Sequence, residues 1–352
     1  MPSLFRGAAP LRPGHLPIET VRAIAIILLV SFHVIGGAEQ QRGLGVSYPH
    51  PLRYYADLLV DLRMPLFAFV AGVVYGLKPV QPEKLGAFLK GKLRRLALPG
   101  ITAITVFMLM ARAMGAPDGQ ILSHPWDAYL RHYTIFWFLQ VMLVIFATYG
   151  TLDVLTRGRV LMPVLALSLL AVAMGWGFES DIMALNRITH LLAYFLLGLA
   201  FIRHLDWIGA HRGAVALSGL AMLGLGLAMN LHILHQTGAF SDQRLDLQSL
   251  LFGAGAAIAG FLLLPRLSWL QWLGAYSLTI YLYHILATSM SRRVLEKLGI
   301  ESPWLLVLGG TALGIGLPVL LHLLSSRFAL TRLLVLGLRD KSAPRQGAAV
   351  PA

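Results

Sequence analysis

Apolar runs of about twenty residues recur between residues 18 and 325, separated by short stretches rich in Gly, Pro and charge. A bilayer core is about 30 Å thick, and an α-helix rising about 1.5 Å per residue crosses it in roughly 20 residues. The pattern predicts spans at 18–37, 57–77, 97–114, 135–153, 160–177, 188–203, 213–231, 248–265, 270–289 and 303–325. The expected fold is all-α: a single integral membrane bundle of about ten transmembrane helices over residues 18–325. Residues 1–17 hold Arg6, Arg12, Pro10 and Pro13 and read as an N-terminal tail. Residues 326–352 are basic and then rich in Pro, Ala and Gly, the pattern of a surface helix running into a disordered tail.

Composition excludes a soluble reading. The 352 residues are 57% hydrophobic and only 13% charged, where soluble domains average about a quarter charged. The net charge of +13 sits mostly beside apolar runs, so the partners it suggests are membrane lipids and no nucleic acid. With the N-terminus inside, 18 of the 29 basic residues fall on the cytoplasmic side, 8 fall outside and 3 lie within spans. That asymmetry predicts an even number of crossings with both termini cytoplasmic. Arg292, Arg293 and Lys297 form the one basic cluster on the outer side. The absence of cysteine removes disulfides, thiolate metal sites and a cysteine nucleophile. The twelve histidines are scattered without zincin-type spacing, and no metal is expected.

Ionisable groups inside a span cost at least about 2.5–3.5 kcal/mol each and ask for a partner or a task. The first span carries Glu19, Arg22 and His33. Three residues separate Glu19 from Arg22 and eleven separate Arg22 from His33, so all three share one helix face. Arg22 lies near the cytoplasmic end and His33 about 16 Å further along the axis. An interfacial Glu19–Arg22 pair with a structural histidine is the plainer account; a functional pocket gives the whole stripe a purpose. Histidine also titrates where proton transfer at neutral pH needs it. Asp57, Asp61 and Arg63 open the second span, the two carboxylates at i, i+4. Residues 78–95 hold six basic residues against Glu83, which serves topology and also suits a polyphosphate arriving from the cytoplasm. Trp126, Tyr129, Tyr133, Trp137 and Phe138 cluster near the fourth span, as an aromatic belt or as a sugar- or acyl-stacking surface. Ser277, Tyr281 and His284 make a polar stripe on the ninth, open to interhelical hydrogen bonding or to substrate.

Five segments in order resemble the acyltransferase-3 family of integral membrane acyltransferases. Glu19-Thr-Val-Arg22 followed by His33 is similar to its first helix with R-x10-H spacing. Arg63-Met-Pro65-Leu-Phe67-Ala-Phe-Val-Ala71-Gly72 resembles its R-x-P-L-F-F-F-x-S-G segment, with Ala71 in place of Ser. Lys92-Leu-Arg94-Arg95 to Pro99 resembles its R-x-x-R element, with Lys92 in the first position. Phe136-Trp137-Phe138-Leu139 and Trp272-Leu-Gly274 through Ser277, Tyr281 and His284 complete the set. The resemblance implies transfer of an acyl group, usually acetyl, from cytoplasmic acyl-CoA to a hydroxyl on an extracytoplasmic or lipid-linked glycan. Acetyl-CoA is then the expected donor and a multi-pass plasma membrane, the bacterial inner membrane, the expected location. The expected catalytic group is His33 with Arg22 and Glu19; Lys92, Arg94, Arg95 and Arg22 would hold the donor; Arg63, Trp137, Ser277, Tyr281 and His284 would face the acceptor. A polytopic transporter or flippase is the alternative that buried Arg, His and carboxylates also permit.

Overall fold

The computed structural model describes residues 11–37, 43–113, 124–131 and 133–339. Most of the expected N-terminal tail and the end of the C-terminal tail lie outside the described residues. In a bilayer the backbone must satisfy its own hydrogen bonds, and apolar runs of this length do so as helices. The fold is all-helical, with no strand among the described residues and one antiparallel bridge, Arg131 to Ile182.

The helices are α1 (Ile18–Ile35), α2 (Pro51–Leu58), α3 (Val60–Gly76), α4 (Leu85–Lys92), α5 (Leu98–Ala113), α6 (Asp127–Leu130), α7 (Trp137–Ala147), α8 (Tyr149–Leu155), α9 (Leu161–Ala173), α10 (Ile188–Arg203), α11 (Leu205–Ala210), α12 (Arg212–Thr237), α13 (Leu247–Leu263), α14 (Ser268–Gly274), α15 (Ser277–Lys297), α16 (Pro303–Ser325) and α17 (Ala329–Leu336). By length and composition seven stretches suffice to cross a membrane: Pro13–Ile35, Pro51–Gly76, Pro82–Ala113, Trp137–Leu155, Leu185–Arg203, Arg212–Thr237 and Pro303–Ser325. Two apolar helices, α9 and α13, are shorter. Helix α15 is 21 residues long, but its last two turns carry Arg292, Arg293, Glu296 and Lys297.

Helix α1 is the hub, packing against α2, α3 and α13 to α16. Small residues set the closest crossings, as expected where no hydrophobic force draws helices together in lipid. At the α3–α10 crossing a Cβ on Gly72 would collide with the Phe195 carbonyl, and one on Gly198 with the Phe69 carbonyl. Gly274 of α14 lies against the Glu19 carbonyl in the same way, which fixes the foot of α1.

Three expected elements differ in detail. Asp57 and Asp61 do not share one helix: the chain breaks at Leu59 between α2 and α3. Pro65 has no N–H to give the Asp61 carbonyl, so the first turn of α3 lacks a rung and the entering segment can turn away. The ninth span is broken at residues 275–276 into α14 and α15. Residues 78–95, read as a loop, contain α4 and the start of a single π turn, Leu93–Ala97.

The connecting segments pair off in two sets. One set joins Gly14 to Arg266, Gly158 to Arg203 and Arg94 to Gly337. The other joins Tyr48 to Phe240, Gly43 to Arg292, Arg131 to Asp181 and His190 to Arg244.

Candidate active site

Two histidines from distant helices meet where α1 passes α15. His33 sits one turn from the end of α1, and its Nδ1 lies 2.9 Å from the Leu29 carbonyl. His284 is fully buried on α15, with Nδ1 at 3.0 Å from the Ile280 carbonyl and 2.8 Å from the Tyr281 carbonyl. A carbonyl oxygen only accepts, so each neutral ring carries its proton on Nδ1. The His284 Nε2 lone pair then faces the His33 Nδ1–H at 3.3 Å, with the rings edge to face. This leaves the His33 Nε2 lone pair for an incoming group. The arrangement is that of a base whose far side is held by a second acceptor, which fixes the tautomer and shares the charge that proton uptake creates.

Arg63 and Asp61 stand nearby on α3. Arg63 is 3% exposed, its guanidinium 3.6 Å above the ring of Phe32, the residue before His33. Its Nη2 donates to the Ala56 carbonyl at 3.4 Å, and its Nη1 is buried without a partner. Asp61 is fully buried; its Oδ1 accepts from Ser249 Oγ at 3.0 Å and from Arg244 Nη1 at 3.4 Å. Trp137 begins α7 with the Arg187 guanidinium 5.8 Å from its ring. Phe138 bridges from there to Tyr281, ring to ring at 5.6 Å.

The stripe on α15 divides. His284 reaches His33. Tyr281 gives its hydroxyl to the Ile135 carbonyl and so ties the aromatic segment before α7 to α15. Ser277 is buried two turns below His284, about 10 Å along the axis.

At the other end of α1, Arg22 donates to Glu19 at 2.7 Å, and the second oxygen of Glu19 is buried without a partner. The Lys92 ammonium lies 3.5 Å from the ring centroid of Phe146 and 5.2 Å from that of Phe88, within electrostatic range of Arg95 and Arg22. Arg94 is turned elsewhere, its Nε donating to the Gly337 carbonyl at the end of α17. Arg22 and Arg95 thus lie within electrostatic range of Lys92, while Arg94 goes to the C-terminal segment. On the face of α1 between Arg22 and His33, Ile26 and Leu29 are buried in an apolar cluster with α5, α7 and α15.

Sequence reasoning did not find three other polar clusters, because each joins residues across a helix break or from separate helices. Arg53 is wholly buried, pairs with Asp57 and donates to the Gly36 carbonyl at 2.6 Å, closing the end of α1. The Tyr48 phenol donates to Asp57 at 2.8 Å; burial pushes it up to about 12, with the Asp57 carboxylate acting in the same direction. Asp153 receives both Nη atoms of Arg203 at 2.8 and 2.7 Å and the Tyr75 hydroxyl at 2.9 Å. Arg244, from the segment before α13, completes the Asp61 cluster. One signal was available: Asp57 stands four residues after Arg53, the i, i+4 spacing of an ion pair on one helical turn. No group of three metal-capable side chains converges among the described residues.

A family model described as an acyltransferase domain matches residues 17–323, from the start of α1 to the last turn of α16. No curated protein and no solved structure matches the chain.

Proposed function

The chain belongs to the acyltransferase-3 family and is a multi-pass membrane acyltransferase; from that premise we propose that it moves an acetyl or other short acyl group from cytoplasmic acyl-CoA to a hydroxyl of an extracytoplasmic or lipid-linked glycan. The observation that carries this reading is the His33–His284 pair, with the His33 Nε2 lone pair unspent at one end of α1 and a cationic cluster at the other.

Arg22 and Arg95, with the charge of Lys92 behind them, would receive the phosphates of the donor, and Glu19 would hold Arg22 in place. The thioester would extend along α1 towards His33, over the height of about 16 Å that separates the two residues. Ile26 and Leu29 fill that face, so donor entry requires α5, α7 or α15 to move aside. His33 Nε2 takes the proton of the acceptor hydroxyl as its oxygen attacks the thioester carbonyl carbon. The C–S bond breaks as the ester forms, and the proton passes to the departing thiolate to give free CoA. His284 Nε2 shares the positive charge of His33 through the Nδ1–H during this step. Arg63 and Trp137 would face the acceptor, and Ser277 and Tyr281 would support that side from α15.

The location that fits is a bacterial inner membrane, with ten crossings and both termini cytoplasmic. The basic asymmetry of the sequence and the two sets of paired connecting segments support the crossings and their sidedness, and the inner membrane is carried by the family alone.

Membranes carrying wild type or His33→Ala, given radiolabelled acetyl-CoA, test the reading. Label is expected in lipid-linked or polymeric glycan with wild type only, with both proteins present in equal amounts. Transfer by His33→Ala would remove His33 from the chemistry. No transfer by either, in membranes that hold the acceptor glycan, would turn the reading towards a carrier.

A further inference from the structure

The family model ends at residue 323, and α17 lies beyond it. That helix is seated on the donor-side turn. Leu336 is buried, and Val335 packs against the apolar cluster shared by α1, α5 and α15. Gly337 closes α17 in the left-handed conformation, at φ 64°. A Cβ there would lie 2.5 Å from the Arg94 carbonyl oxygen and 2.9 Å from the Arg95 Cα, an approach that only glycine allows. In return the Arg94 Nε donates to the Gly337 carbonyl at 3.3 Å. The C-terminal segment is therefore held against the π turn Leu93–Ala97 by backbone contact as well as by side chains.

This seating adds a cation to the donor side. Arg339 follows Gly337 by two residues, no more than about 7 Å of chain. The charges that act on Arg94 are those of Arg339 and Arg95, and no carboxylate of the described residues is among them. Arg94 has spent its Nε on Gly337 and keeps both Nη nitrogens. Arg95 and Arg339 are exposed. Guanidinium groups gathered without an acid repel one another, and an anion placed among them removes that cost. Arg95 also acts on Lys92, as does Arg22, so Arg95 belongs to both groups of cations.

Acyl-CoA carries two separate anions: the diphosphate from which the thioester arm runs, and a phosphomonoester on the ribose 3′ oxygen, beyond the diphosphate as seen from the arm. Arg22 stands at the foot of α1, along which the arm would extend, so the diphosphate falls to Arg22, Lys92 and Arg95. We propose that Arg94 and Arg339 form a subsite for the 3′-phosphate of the donor, so that the C-terminal segment makes this chain select CoA over its 3′-dephospho form. The inference rests on the acyl-CoA reading of the donor side and adds to it a residue from outside the matched domain. A phosphomonoester brings about two negative charges and three acceptor oxygens, enough for both guanidinium groups.

Calorimetric titration of the purified full chain in detergent, with CoA and with 3′-dephospho-CoA, reads the subsite directly. Wild type is expected to bind CoA about tenfold or more tightly than the dephospho form. Arg339→Gln is expected to lose most of that ratio by weakening CoA alone, because only the 3′-phosphate has lost a partner. Arg94→Gln should move the ratio the same way, and Arg339→Lys, which keeps the charge but loses the fork, should retain part of it. A merely structural role for Arg339 would weaken both ligands together. That result overturns the proposal, as does a wild-type ratio near one or a ratio that survives Arg339→Gln. CoA binding without discrimination removes the subsite, leaves the donor reading standing and turns the pair towards another phosphate, that of a lipid headgroup. No binding of either ligand removes the donor reading and the subsite together.

Discussion

Both histidines of the pair spend Nδ1 on a carbonyl of their own helix, and that shared habit orders them. His33 shares its one Nδ1–H between the Leu29 carbonyl and His284 and keeps its second nitrogen for the reaction, while His284 has no reactive nitrogen left. The roles are therefore unequal. His284→Ala is expected to lower kcat by about 10²-fold or more with little change in KM for acetyl-CoA, because positioned acid–base groups contribute about 10² to 10⁴. His284→Gln, whose amide oxygen can accept from His33 Nδ1–H, should recover part of that loss. Steady-state kinetics on the two variants decide it, and equal rates for His284→Ala and wild type would leave His284 as a packing residue. Of this site the sequence made His33 legible, since helical spacing put it on the face of Glu19 and Arg22. It also marked His284 as polar on an apolar helix. That the two touch depends on how α15 docks on α1, which no local pattern contains. The same limit separates Tyr281 from its stripe neighbours, because its hydroxyl goes to a backbone carbonyl 146 residues away in sequence.

Among the elements, the α3–α10 crossing does most to place the site, because α3 carries Asp61 and Arg63 and α10 begins one residue after Arg187. The reciprocal contacts of Gly72 and Gly198 with backbone of the partner helix leave no room for a side chain. Gly198→Leu must push the helices apart, leaving both lined by atoms that have lost their contacts, and core overpacking costs about 1–3 kcal/mol or more. Fluorescence-detected size exclusion after a heating series should show a lower midpoint than wild type. An unchanged midpoint would mean that the two helices do not approach this closely. Apolar periodicity located α3 and α10 well. It missed the break at Leu59, because Pro65 acts on a carbonyl one turn upstream and the run of apolar residues does not register it. Residues 78–95 were obscured for a different reason: their six basic residues have the composition of a cytoplasmic connection, and the amphipathic turns of α4 are hidden within it.

At the scale of the whole molecule, sidedness turns on α9. Its thirteen residues rise about 20 Å, short of an average hydrocarbon core of about 30 Å, so by length alone it could fail to cross. Its two ends are nevertheless tied to different sets of segments. Before it, Gly158 lies against Arg203; after it, Ile182 bridges to Arg131 and Asp181 pairs with Arg131. A local thinning of the bilayer, at fractions of a kcal/mol per Å of mismatch, is a small cost for keeping these contacts. If α9 crosses, the chain makes ten crossings and its ends lie on one side; if not, every later segment changes side. The chain contains no cysteine, so single substitutions report without background. In intact cells a membrane-impermeant maleimide is expected to label Ser180→Cys and Ser302→Cys, and to label Thr156→Cys and Ser326→Cys only after permeabilisation. Labelling of Thr156→Cys and Ser180→Cys from the same side would show that α9 does not cross. It would also put the donor-binding cations and the residues after α9 in different relative positions from those the reaction needs. Agreement of all four sites would place Arg22, Lys92 and Arg95 at the cytoplasmic face and His33 towards the other, so that donor and acceptor approach one imidazole from opposite sides of the membrane.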